Sequence, residues 1–83
     1  MLLWEMIFEV LNTSPDPMTK HEISDAIYRQ YGRASDPETI RATINEQWSN
    51  GNYSFYIENR DKPFRYLASP EYYSSFINGL KGV

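Results

Sequence analysis

The chain of 83 residues has no cysteine and a single histidine, His21. The first absence excludes disulfides and cysteine-ligated zinc, and one histidine without a second nitrogen or sulfur ligand is no metal site. Neither a metal nor a cofactor is therefore expected. No apolar run approaches the roughly 20 residues of a membrane span. The first apolar stretch is interrupted by Glu5 and Glu9 and lacks the basic start and small-residue cleavage site of a signal peptide. Also missing are a glycine-rich phosphate loop, a Gly-x-Ser-x-Gly turn and any pair of carboxylates set with a nucleophile or base. No internal repeat or low-complexity segment is visible. These absences predict a cytoplasmic, non-membrane protein that is not an enzyme.

A strong charge of either sign is lacking too. The formal net charge is −3, which argues against strong nonspecific nucleic-acid binding, because that affinity scales with the phosphates neutralised. The distribution is uneven. Residues 1–28 set Lys20 against Glu5, Glu9, Asp16, Glu22 and Asp25, a net of −4. Residues 29–65 set Arg29, Arg33, Arg41, Arg60, Lys62 and Arg65 against Asp36, Glu38, Glu46, Glu58 and Asp61, a net of +1. Eleven acidic residues mixed with eight basic ones are too few for a rod that mimics DNA.

Aromatic residues are plentiful, at 16%. They suit a chain this short, which buries only about 60–65% of its unfolded surface and needs large rings to gain apolar area. Leu3, Met6, Ile7, Val10 and Leu11 have the spacing of an amphipathic helix over residues 2–12, widened by Trp4 and Phe8. Residues 12–17, rich in Pro, Asp, Ser and Asn, form a loop. Thr19 and Glu22 make a capping box for a second helix with Ile23, Ala26, Ile27 and Tyr31 on its buried stripe, and Gly32 suits a left-handed stop. A third helix starts from either Ser35, with Glu38 at its third position, or Asp36, with Pro37 at its first.

In that third helix Ile40, Ile44, Gln47 and Trp48 share one side. Glu38, Ala42, Glu46 and Ser49 lie roughly opposite, with Arg41 and Asn45 on the flank. Asn50 and Gly51 end it. Two strands follow, residues 53–58 and 64–67, around the tip Asn59, Arg60, Asp61, Lys62 and Pro63. Alternation turns Tyr53, Phe55 and Ile57 inward and Ser54, Tyr56 and Glu58 outward. A last helix begins near Pro70 and carries Tyr73, Phe76, Ile77 and Leu80 at helical spacing. The fold class is α+β and mostly helical: three helices, a two-stranded antiparallel wing and an extra C-terminal helix. Residues 1–68 make the winged helix-turn-helix domain, and residues 69–83 either pack on it, against the first helix, or mediate dimerisation.

The order of elements, with Met18-Thr19-Lys20-His21-Glu22-Ile23 before the second helix and Thr39-Ile40-Arg41-Ala42-Thr43-Ile44 in the third, resembles winged helix-turn-helix domains. Pro15 to Thr19, Pro37-Glu38-Thr39-Ile40 and Phe64-Arg65-Tyr66-Leu67 are most similar to the HARE-HTH type. That resemblance covers about residues 1–68. It implies a DNA-contacting or protein-contacting module of transcription machinery, chromatin or restriction-modification systems. An acidic surface and an added aromatic helix depart from the pattern.

Carried over, the resemblance implies that the third helix enters the major groove of double-stranded DNA. Arg41 would meet a guanine edge or a phosphate, Asn45 an adenine edge, and Ser49 would sit beside them. Arg60, Lys62 and Arg65 of the wing would contact phosphates or the minor groove, and the outward Tyr56 is the best stacking candidate. Glu38 and Glu46 on the same face would repel phosphates unless they accept from a cytosine amino group. The bland alternatives are a solvated helix face for Arg41 and Asn45, and for the wing a charged hairpin tip that discourages edge pairing. A second function class is a winged helix that binds another protein, or a second copy through Tyr73, Phe76, Ile77 and Leu80, and not DNA.

Overall fold

The computed structural model describes residues 1–59 and 61–81, with the backbone alone for residues 59, 80 and 81. Six elements follow in the order α1 (Leu3–Thr13), α2 (Lys20–Tyr31), α3 (Pro37–Ser49), β1 (Phe55–Asn59), β2 (Arg65–Ala68) and α4 (Pro70–Lys81). The layout is winged-helix-like. Helices α1, α2 and α3 enclose one core, and the hairpin follows the end of α3.

Side-chain spacing decides what each helix buries. Helix α1 contributes Ile7, Phe8, Val10 and Leu11, α2 contributes Ile23 and Ile27, and α3 contributes Ile40 and Ile44; Phe55 and Tyr66 of the hairpin complete the cluster. A fully buried side chain of this size stabilises by about 1.5–3 kcal/mol relative to exposure, so these ten residues supply most of the fold's driving force. The caps fix where the helices begin. Thr19 accepts the Glu22 amide at 3.2 Å while the Glu22 carboxylate accepts the Thr19 amide at 2.8 Å. The Thr19 amide is also the main reason the Glu22 carboxyl titrates below its ordinary range. Of the two candidate starts for α3, Asp36 is the cap: its carboxylate accepts the Glu38 amide at 3.1 Å, with Pro37 in the first turn.

Gly32, at φ 69°, ends α2 and donates its amide to the Tyr28 carbonyl at 2.9 Å. The short turn that follows brings α3 across α2, and the Ser24 hydroxyl donates to the Ser35 carbonyl to hold the corner.

The hairpin begins later than alternation predicts. Asn52 and Ser54 are both fully buried, and Asn52 binds on two sides: its side-chain amide donates to Gln47 at 2.9 Å, and its carbonyl oxygen accepts from the Ser54 amide at 3.2 Å. This polar knot occupies the interior where the strand was expected to start. It turns Tyr53 out to 54% exposure, so the expected inward Tyr53 and outward Ser54 exchange places. From Phe55 onward the alternation holds, with Phe55 buried, Tyr56 exposed and Ile57 half-buried. The second strand likewise runs one residue later than expected, leaving Phe64 outside it.

Strands β1 and β2 pair antiparallel, Phe55 with Ala68, Tyr56 with Leu67 and Ile57 with Tyr66, before the register shifts between Ile57 and Asn59. The free edge of β2 is not open at Tyr66. The Met18 amide donates to the Tyr66 carbonyl at 3.1 Å and the Tyr66 amide to the Met18 carbonyl at 2.8 Å. One residue of the loop before α2 thus extends the sheet, a pairing with no local signal in the sequence. It draws the N-terminus of α2 toward the wing. Among the described residues no helix is long and apolar enough to cross a membrane.

Candidate nucleic-acid interface

The Met18–Tyr66 pairing creates a cleft between the start of α2, the flank of α3 and the wing. Its lining is the cap Thr19 with Lys20 and His21 of α2, Arg41 from α3, and Lys62, Pro63, Phe64 and Tyr66 from the hairpin, around a volume of about 580 Å³. Three basic side chains from three separate elements therefore converge. Apolar atoms make up most of the wall, and Tyr66, 2% exposed, is the innermost of the lining aromatics. Burial raises the Tyr66 phenol above its ordinary pKa despite the nearby Arg41 and Lys20 charges.

Glu38 bridges two of these cations. One of its oxygens accepts from the Lys20 ammonium, and the other accepts from Arg41 Nε at 2.8 Å. Hydrogen bonds from Lys20 and then Arg41 are the leading causes that hold the Glu38 carboxyl at about 2, far below its ordinary 4.5. The acid that would repel phosphate is thus neutralised in place. It also occupies two of the three cations that phosphate would need.

The expected contact residues divide into separate groups. Arg41 and Lys62 come together in the cleft. Arg65 pairs with Glu22 of the α2 capping box at 3.5 Å and does not line the cleft. Asn45 is exposed farther along α3, and the Ser49 hydroxyl donates back to the Asn45 carbonyl at 3.1 Å. Arg60 lies outside the described residues. Glu46 and Ala42 are exposed on α3 as the helical spacing predicts.

Tyr56 belongs to a different surface. With Trp48, Tyr53, Phe55, Ile57, Phe64, Ser69 and Tyr72 it lines a shallow groove of about 870 Å³ on the far side of the hairpin. Trp48 turns its indole N–H inward, to the Phe55 carbonyl at 2.9 Å, which anchors β1 to α3. Tyr53 and Tyr72 meet edge to face at 6.2 Å. Phe64 lines both concavities.

The α4 stripe faces α1. Tyr73 stacks on Phe8 with centroids 3.9 Å apart and planes 11° from parallel, and Trp4 meets Phe76 edge-on at 5.8 Å. Ile77 is half-buried, and the Leu80 side chain lies outside the described residues.

Two residues that line the cleft escaped sequence reasoning. Lys20 was absent from the expected contacts because, on helical spacing alone, it is a solvated first-turn residue; only the Met18–Tyr66 pairing brings it to the wing. Phe64 was assigned to a strand. The basic residue directly after the Thr19 cap was the one available signal. Among the described residues no group of three or more His, Asp or Glu is placed to hold a metal. No protein-family model matches the chain, and no curated protein is recognisably similar to it.

Proposed function

We propose that this domain is a DNA-binding winged-helix module, serving transcriptional regulation or the targeting of a larger DNA-acting system such as restriction-modification. The supporting observation is the convergence of Lys20, Arg41 and Lys62, from α2, α3 and the wing, on one cleft beside the exposed face of α3. Cations on three elements match a phosphate backbone passing across the end of a helix-turn-helix, where such contacts set register and orientation. Asn45 and Ser49, farther along α3, supply the base-edge contacts. The affinity is modest, because the chain as a whole is acidic and Glu38 already neutralises part of the cluster. Titration of a labelled duplex at low salt tests the proposal by fluorescence anisotropy. Arg41→Ala and Lys62→Ala should each weaken binding and lower the logarithmic salt slope by about 0.9. Absence of binding at tens of micromolar, or binding indifferent to both substitutions, refutes it.

A second reading has its own observation. Tyr53, Tyr56 and Tyr72 are 54%, 48% and 58% exposed around one groove. Exposed aromatics gathered in this way suit a protein-interaction domain that does not bind DNA. Salt separates the two: phosphate contacts weaken steeply as salt rises, whereas an apolar contact holds.

A further inference from the structure

We infer that the cleft between α2, α3 and the wing is a subsite for one phosphorylated nucleotide, its phosphate held by Lys20, Arg41 and Lys62 and its base laid against Phe64. The inference rests on the same phosphate-facing view of the cleft that supports DNA binding, and it adds a pocket where DNA binding alone needs only a surface.

The chain itself shows what kind of group the cation pair accepts. Lys20 and Arg41 each take one oxygen of the Glu38 carboxylate, so they are spaced to bracket two oxygens of a single anion. A phosphate monoester presents two oxygens in the same way and carries more charge, and Lys62 stands in the same cleft to meet the third. Glu38 is exposed, with 57% of its side chain open, and can swing into water when displaced. Its carboxylate is then a tethered occupant that a phosphate replaces.

The rest of the cleft is built for something other than phosphate. A surface that binds only anions has no need of apolar walls, yet Pro63, Phe64 and Tyr66 supply them here. Phe64 lines the cleft and is 36% exposed, so it is within reach of a ligand there. Tyr66 lines the cleft with a neutral phenol and so adds no negative charge. The volume of about 580 Å³ admits a sugar and a base beyond the phosphate. Aromatic faces bind any base, so the site has size and charge selectivity but weak base selectivity.

Two sources could provide such a ligand: a free mononucleotide, or the last nucleotide of a 5′-phosphorylated strand. NMR titrations of the whole chain with thymidine 5′-monophosphate, thymidine and inorganic phosphate test the subsite. The nucleotide is expected to bind saturably and to shift the amides of residues 19–21, 41 and 64–66. It should bind at least about fivefold more tightly than inorganic phosphate, the low end of what one stacked base contributes. Phe64→Ala should bring it down to the level of phosphate while Phe64→Tyr retains it, and Glu38→Gln should strengthen it. A 5′-phosphorylated single strand binding more tightly than its 5′-hydroxyl counterpart and than the mononucleotide assigns the site to strand ends; equal affinity for strand and mononucleotide assigns it to the free nucleotide. Failure to saturate, or equal affinity for nucleotide and inorganic phosphate, overturns the inference. A duplex titration run in parallel keeps the two proposals apart: duplex binding without nucleotide binding sinks only the subsite, and binding of neither sinks both.

Discussion

Glu38→Gln should tighten DNA binding and, more tellingly, make it more sensitive to salt. In the free protein the Glu38 carboxylate engages Lys20 and Arg41 at once. The single carboxylate charge cancels one of the two cation charges, so Lys20, Arg41 and Glu38 together offer DNA a net of one positive charge. Glutamine keeps the size of the side chain and removes its charge, so both cations face solvent. The charge offered to DNA rises by one, so about one more phosphate is neutralised and the slope of log K against log salt steepens by about 0.9. Between 50 and 200 mM salt the variant would then lose about 3.5-fold more affinity than the wild type. The control is Glu46→Gln, which makes the same charge change on the exposed side of α3. It removes general repulsion and should raise affinity without steepening the slope. Anisotropy titrations at four salt concentrations decide the matter, with circular dichroism to verify that both variants stay folded. A slope for Glu38→Gln no steeper than that of Glu46→Gln refutes the assignment of Lys20 and Arg41 to phosphate, whatever happens to affinity at one salt concentration.

Three further outcomes test the fold that positions the cleft. Gly32→Ala meets open space around its new methyl but must adopt φ 69°, so it should cost about 1–2 kcal/mol in urea unfolding, whereas a loss near zero would mean the turn relaxes. Asn52→Ala leaves the buried Ser54 amide without its partner and should cost about 1–3 kcal/mol, with NMR shift changes centred on the end of α3 and the start of β1. The pH dependence follows from Glu38, whose pKa is lowered on folding from 4.5 to about 2. A lowered carboxyl pKa stabilises the fold fully above the unfolded value, and that contribution disappears as pH falls from about 4.5 towards 2. Wild type and Glu38→Gln should therefore differ in melting temperature near neutrality and converge across this window; a constant difference down to pH 2 would contradict the ion-pair account.

Local chemistry explains which parts of this architecture were legible from residues alone. Thr19 with Glu22, Asp36 with Pro37, and Gly32 each act through a backbone group no more than four positions away, so sequence spacing is enough to locate the helix ends. The inward stripes of the helices follow from 3.6-residue periodicity for the same reason. Strand alternation failed at Tyr53 because its period of two has no fixed origin. A side-chain knot formed by Asn52 with Gln47 and Ser54, and not hydrophobicity, sets where the alternation begins.

The candidate site divides along the same line. Arg41 and Lys62 were legible as exposed cations on a third helix and a wing tip, and the order of elements by itself determined that a helix-turn-helix with a wing would form. Which cations meet was decided only by tertiary structure. The pairing of Met18 with Tyr66, 48 residues apart, brings Lys20 to the wing, while Arg65 is drawn away to Glu22. Glu38, which counted against phosphate binding as a bare charge, is a partner already shared between two cations. Charge and periodicity are properties of single positions. A cleft depends on long-range distances, and those exist only once the core built on Ile27, Ile40, Ile44 and Phe55 has closed.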